Sequence, residues 1–347
     1  MIKDLKLTNF RCFEDLTINF SSNVNLITGN NGSGKTSIIE ALYLLGRGRS
    51  FRTNYLSDLI YKDSDSSVIF MKGANNISDL KIGCEIKRSS LLMKVNSEII
   101  KRRSILLDYL PLQIITPISH QLIDSGPTHR RKFIDWGLFH VEQIYKQTWS
   151  DFRRVLKQRN KSLKDGIQDI SHWDSEFIKH SIILDNLRTN YFSEIQYFFN
   201  YAQEKLLGDK FAEIQYFPGW DKNSDIKKEL AISIKKDRFN GWSNIGPHKA
   251  DLKFVFKESK RNILSRGQQK MLVFSLQIAQ CLHLEKIKAI TPLLLIDDIS
   301  SELDLDHTNN ILNFVNEIKV QSVISSIDTE KINEKYISNV FHVEHKK

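Results

Sequence analysis

The chain has 347 residues with ordinary hydrophobic (41%) and charged (26%) content, which allows one large domain or two smaller ones and excludes a disordered polypeptide. A net charge of +9 favours a polyanionic partner, nucleic acid or an anionic membrane surface, while no apolar run nears the roughly 20 residues that cross a bilayer. Cys12, Cys84 and Cys281 are too scattered for a disulfide framework and the 10 histidines lack metal-ligand spacing, so a soluble cytoplasmic protein is expected.

Alternating apolar residues predict strands at Leu5 to Phe10, Leu16 to Phe20 and Val24 to Thr28. The third runs straight into Gly29-Asn30-Asn31-Gly32-Ser33-Gly34-Lys35-Thr36 and then a helical stretch from Ser37 to Leu45. Strand, loop and helix in that order form a phosphate-binding loop. Its glycines let backbone N–H groups curl round phosphate oxygens, Lys35 reaches the β and γ phosphates, and Thr36 offers its hydroxyl to Mg2+. The helix aims its positive N-terminus at the same anion.

Further strands are expected at Val68 to Lys72, Leu80 to Lys87, Leu91 to Val95 and Leu112 to Thr116. From about Thr128 the period becomes helical through Val141, Ile144, Tyr145, Trp149, Phe152, Val155 and Leu156, until Asp165-Gly166 ends the run. A second helix is predicted from Ser171, capped with Asp174, through Phe177, Leu184, Tyr191, Ile195, Phe198 and Ala202. The two make an antiparallel hairpin. Thr128 to Asp165 carries ten Lys or Arg against four acids, a net +6. Arg130, Arg131, Lys132, Arg153, Arg154 and Lys157 are the candidate DNA contacts, a solvated helix face being the other reading.

Strand patterns return at Phe211 to Phe217, Leu252 to Phe256, Leu293 to Asp297, Ser322 to Ile327 and Val340 to Val343. The expected architecture is one α/β ATPase domain, residues 1–118 and 244–347, interrupted by a helical insertion at 119–243.

Pro292-Leu293-Leu294-Leu295-Ile296-Asp297-Asp298 is an apolar strand ending in two acids. Beside a phosphate loop, Asp297 can hold Mg2+ and Asp298 can orient the attacking water. Leu264-Ser265-Arg266-Gly267-Gln268-Gln269-Lys270 then opens a long apolar-periodic helix, and this segment resembles the signature loop of ABC-type ATPases. A plain N-cap at Ser265 is the structural alternative. Ser301-Glu302-Leu303-Asp304 resembles the D-loop of the same class.

The whole chain resembles the RecF family of SMC-like ABC ATPases. The resemblance rests on those motifs and on Leu5-x-Leu7-x-Asn9-Phe10-Arg11, Gly126-Pro127-x-x-Arg130-Arg131-Lys132-Phe133-Ile134-Asp135 and Gly246-Pro247-His248-Lys249-Ala250-Asp251. It implies an ATP- and Mg2+-dependent homodimer in which Ser265 and Gly267 of one copy cap the γ-phosphate held by the other. It also implies binding to double-stranded DNA near single-strand gaps, recombination mediator proteins as partners, and roles in recombinational repair, fork recovery and the SOS response. Arg11 resembles the SMC-type arginine near the nucleotide, with a surface charge as the other reading, and Gln113 or Gln121 is expected to supply the glutamine loop near the metal. The second acid is Asp298, not Glu, and Val323-Ile324-Ser325-Ser326-Ile327-Asp328 carries no switch histidine. Slow hydrolysis, a switch and not a motor, follows. A transporter ATPase subunit and a chromosome-tethering SMC-like protein are the rival readings.

Overall fold

The computed structural model describes residues 1–74, 79–256, 265–301, 303–327 and 332–344. Leu264, Glu302 and Asp328, named above with the signature, D-loop and switch strand, lie outside the described residues.

The chain begins with β1 (Ile2–Phe10), β2 (Phe13–Asn19) and β3 (Val24–Thr28), followed by α1 (Lys35–Arg47). Next come β4 (Ser66–Ala74), β5 (Asp79–Lys87), β6 (Ser90–Val95) and β7 (Glu98–Ile99), then the single turn α2 (Leu106–Tyr109) and β8 (Leu112–Ile115). The middle holds α3 (Gln121–Asp124), α4 (Pro127–Val141), α5 (Gln143–Lys164), α6 (Ser171–Leu207), β9 (Ala212–Phe217), α7 (Ile226–Asn240) and β10 (Asp251–Phe256). The last part is α8 (Arg266–Lys288), β11 (Leu293–Ile296), α9 (Leu305–Glu317), β12 (Ser322–Ser325) and β13 (Asn339–His342).

Contacts divide the chain into two compact units, one of residues 1–119, 205–208 and 265–347, the other of 120–204 and 209–264. The first unit contains two sheets. An antiparallel sheet in the order β2-β1-β4-β5-β6-β7 alternates buried and exposed residues, so that Leu80, Ile82, Cys84 and Ile86 of β5 all enter the core. A parallel sheet in the order β13-β3-β12-β11-β8 has strands such as Val24–Thr28 and Leu293–Ile296 buried on every residue, the mark of a sheet covered on both faces. α1 packs against β8, β11 and β12 of that sheet and carries Ile38, Ile39, Leu42 and Leu45 into the core.

The second unit is more than the expected hairpin. α5 and α6 are antiparallel, with Arg159 meeting Asp174 near one end and Tyr145 meeting Arg188 further along. Asp174 therefore binds Arg159, not the start of its own helix. The break at Glu142, which is extended (φ −108°, ψ 110°), separates α4 from α5. β9 pairs antiparallel with β10, from Asp251 opposite Phe217 to Phe256 opposite Ala212. This pairing puts 251–256 beside β9 of the second unit, so that unit extends past the expected boundary at 243/244. Helical period alone could not reveal a strand on the far side of α7 belonging to a strand before it.

Candidate nucleotide site

β3 ends at Thr28 and the loop turns sharply under α1. Gly29 has φ +141° and a Cβ there would lie 2.3 Å from the Val343 carbonyl oxygen; Gly34 has φ +109° and a Cβ would strike Phe13 at 2.4 Å and Cys12 Sγ at 2.6 Å. Only glycine fits both places. Lys35 Nζ donates to the carbonyls of Gly29 (2.6 Å) and Asn30 (2.8 Å), which holds the ammonium over the loop. Burial lowers the Lys35 pKa, while Asp298 and Asp297 pull it back up.

β12 lies between β3 and β11, so the phosphate loop and the double acid reach the same edge of the sheet one strand apart. Thr36 Oγ1 donates to Asp297 Oδ1 at 2.9 Å, linking loop and strand across 261 positions. Ser325, at the end of the intervening β12, donates to the same oxygen at 2.9 Å and accepts the Asp298 amide at 2.8 Å. Burial raises the Asp297 pKa, the hydroxyls of Ser325 and Thr36 lower it, and Asp298 raises it again. Asp298 itself is left-handed (φ 53°), an uncommon conformation for a non-glycine residue, and Ser300 Oγ donates to its Oδ1 at 3.1 Å.

These groups open on a cleft of about 490 Å³ whose walls include Arg11, Asn31, Lys35, Thr36, Arg52, Asp298 and Ser325. Arg11 is thus at the cleft. It forms a two-pronged bond to Glu40 of α1 (2.7 and 2.8 Å), and its third contact is the Asp58 carbonyl at 2.7 Å. Glu40 is fully buried and also faces Arg52 at 3.4 Å. Arg52 and Ser325 are among the lining residues that sequence reasoning missed as site members, with Cys12, Ser37, Asp58 and Ile327. Arg52 stands in no motif, and the role of Ser325 depends on strand order.

The oxygen set fits a magnesium ion. A threonine hydroxyl, a buried carboxylate and open space for phosphate and water oxygens match the preference of Mg2+ for few protein ligands. No cluster of three or more His, Cys, Asp or Glu suited to a metal occurs among the described residues.

Gln113 is buried and its amide donates to Gln280 Oε1 of α8 at 2.5 Å. Gln121, the alternative, opens α3 and is not among the cleft-lining residues. Arg130 is not free for DNA: it grips Asp251 through Nε (2.7 Å) and Nη2 (3.1 Å) and donates to the Ser125 carbonyl at 2.5 Å. Arg131 is half-engaged, bonding the Ala250 carbonyl at 3.1 Å. Lys132, Arg153, Arg154 and Lys157 are exposed, although Arg154 pairs with Asp151 at 3.1 Å.

Ser265 is the N-cap of α8. Its Oγ accepts the Gln268 amide at 3.2 Å, and the Gln268 side chain accepts the Ser265 amide at 3.0 Å, a complete capping box. Ser265 is exposed and, like Gly267, is not among the residues lining the cleft of its own chain.

A parallel sheet with a phosphate loop, a double-acid strand one position removed, a capped signature-like helix and an inserted second unit defines an ABC-type ATPase head of the SMC kind. The family model RecF/RecN/SMC N terminal domain matches residues 1–347, and the chain belongs to this family, within it to the RecF proteins. It is 36% identical to the DNA replication and repair protein RecF of Psychromonas ingrahamii (strain DSM 17664 / CCUG 51855 / 37), covering 99% of this chain and 98% of that one, and 35% identical to that of Coxiella burnetii (strain CbuK_Q154), covering 100% and 98%. The fold is shared with the solved recombination mediator protein RecF-ATPrS of the RecFOR pathway (TM-score 0.84, 24% identity, 99% and 96% covered). It is shared more distantly with an SMC head bound to the C-winged helix domain of ScpA (TM-score 0.63, 18% identity, 98% and 93% covered).

Proposed function

We propose that the chain is an ATP-dependent DNA-binding protein of recombinational repair, a slow ATPase that dimerises on DNA when it holds ATP and Mg2+. The Thr36–Asp297 hydrogen bond carries the reading, because it sets a hydroxyl and a carboxylate together at the mouth of a phosphate loop. When bound, Mg2+ would neutralise phosphate charge beside these two residues. Lys35 would exchange the carbonyls of Gly29 and Asn30 for phosphate oxygens, and Asp298 would accept a hydrogen bond from the attacking water. An aspartate reaches less far than a glutamate, and Ser325 brings no positive charge, so turnover is slow.

The exposed N-terminus of α8, with Ser265 and Gly267, suits the γ-phosphate held by a second copy. ATP then favours the dimer through its greater affinity for the closed state, and hydrolysis releases it. DNA contact is assigned to Lys132, Arg153, Arg154 and Lys157; loading of a recombinase at gapped DNA, with mediator proteins, is what the family resemblance implies, and relatives named for DNA replication and repair and for recombination mediation support it. No helix among the described residues is long and apolar enough to cross a membrane.

The test is sedimentation of wild type, Lys35→Met and Ser265→Arg with and without ATP and Mg2+. Wild type is expected to dimerise with ATP; Lys35→Met stays monomeric for want of nucleotide, and Ser265→Arg stays monomeric while still binding it. Full dimerisation of Ser265→Arg would overturn the shared site.

A further inference from the structure

Helix α7 turns two contrasting faces outward and inward. Ile226, Leu230 and Asp237 are buried, and Asp237 accepts a bond from the equally buried Arg159 at 2.8 Å. The outward stripe is Lys228, Ile232, Lys235 and Phe239, spaced four, three and four residues, with Trp242 three further on, past the left-handed Gly241. At about 100° per residue the four helical positions fall within roughly 60° of one another. Ile232 is 74% exposed, Phe239 91% and Trp242 47%.

These side chains are held outward. The Gly241 amide bonds the Asp237 carbonyl at 2.8 Å, Asn244 bonds the Asp237 carboxylate at 2.8 Å, and Arg238 donates to the carbonyls of Ile167 (3.0 Å) and Gln168 (2.6 Å). The C-terminal turn is therefore anchored on the side away from the stripe, and the apolar groups have nowhere to retreat.

We propose that the Lys228–Trp242 stripe is a docking site for an acidic amphipathic helix of a partner protein. The four-three-four spacing is that of a helix seam, and its helical part from Lys228 to Phe239 spans about 17 Å, which a partner helix of about 15 residues covers with a residue or two beyond each end. Exposed Lys228, Lys235 and Lys236 frame the apolar groups, while the two carboxylates of the helix, Glu229 and Asp237, are half-buried and buried. The charge complement is acidic. A second copy of α7 would set lysine against lysine. A nucleic-acid strand would find no flat aromatic face on which to stack a base at Ile232.

The experiment measures binding of four fluorescent probes to the full chain by anisotropy. They are a synthetic 15-residue helix with leucine along one seam and glutamate elsewhere, its scrambled form, its lysine counterpart, and an oligothymidine of similar length. The seamed acidic helix is expected to bind at least tenfold more tightly than the other two peptides. Ile232→Ser with Phe239→Ser, and separately Lys235→Glu with Lys236→Glu, each weaken it at least tenfold with the unfolding midpoint unchanged, since all four residues are exposed. Equal binding of the scrambled peptide, indifference to Phe239→Ser, loss of oligothymidine affinity in place of peptide affinity, or a wild-type self-association abolished by Phe239→Ser would each overturn the proposal.

Discussion

Asp297 is a buried carboxylate whose charge is costly to the empty protein and would be offset by the proposed Mg2+. Burial raises its pKa, so the folded state holds the proton more tightly than the unfolded chain does. The stabilising contribution is present below the ordinary carboxylate pKa of about 4 and is lost as pH rises through the folded value. At neutral pH the ionised group is a cost that a cation offsets. Asp297→Asn is therefore expected to unfold at or above the wild-type temperature without nucleotide, yet to gain nothing from Mg2+ and ATP; calorimetry showing a lower midpoint with an intact nucleotide response would contradict this role. Lys35, Thr36 and Asp297 were legible because each belongs to a motif whose geometry is local. Glu40 was not, since nothing in its helix announces that it collects Arg11 and Arg52 at the edge of the cleft.

At the scale of elements, the two Gly-Pro segments turn out to be one device. Arg130 and Arg131 at the start of α4 reach Asp251 and the Ala250 carbonyl, and Arg188 of α6 joins Asp135 (3.3 Å) to the Pro247 carbonyl (2.8 Å). Their charges are spent on each other. Sequence could mark both segments as distinctive but could not tell a clasp from a DNA-binding surface, because partners 121 positions apart are invisible to periodicity. Arg130→Ala, which leaves Asp251 without its cation, is expected to destabilise the chain by about 3 kcal/mol in urea unfolding. His248 of the second segment donates from Nε2 to the Ser243 carbonyl at 3.0 Å, and burial lowers its pKa to about 4. Folding thus favours the neutral ring: its contribution is complete above the ordinary histidine value of 6.5 and is lost as pH falls towards about 4. That difference is worth about 3 kcal/mol, and His248→Gln is expected to flatten the slope of unfolding free energy against pH across this window.

For the whole molecule, surface charge governs what the protein meets. The exposed Arg153, Arg154 and Lys157 of α5 are expected to act additively on DNA, each loss lowering the slope of log affinity against log salt by about 0.9 without altering sequence preference. A triple glutamate variant with an unchanged slope would remove α5 from the interface. The overall class was legible because strands, phosphate loop and double acid occur in the right order. The sheet order and the extent of the second unit were not, since both depend on pairing between segments far apart, such as β3 with β12 and β9 with β10.

The pairing of β3 also orders events on the ribosome. Among the described residues its two ladder partners are β12 and β13, so the strand that carries the phosphate loop lacks a neighbour until residue 322 has been made. The antiparallel sheet has all its strands by residue 99 and the second unit ends at 264. At about 5–20 residues per second the loop waits on the order of tens of seconds for its sheet. A nascent chain therefore has its antiparallel sheet and its second unit in hand before the strand that carries the phosphate loop gains a neighbour.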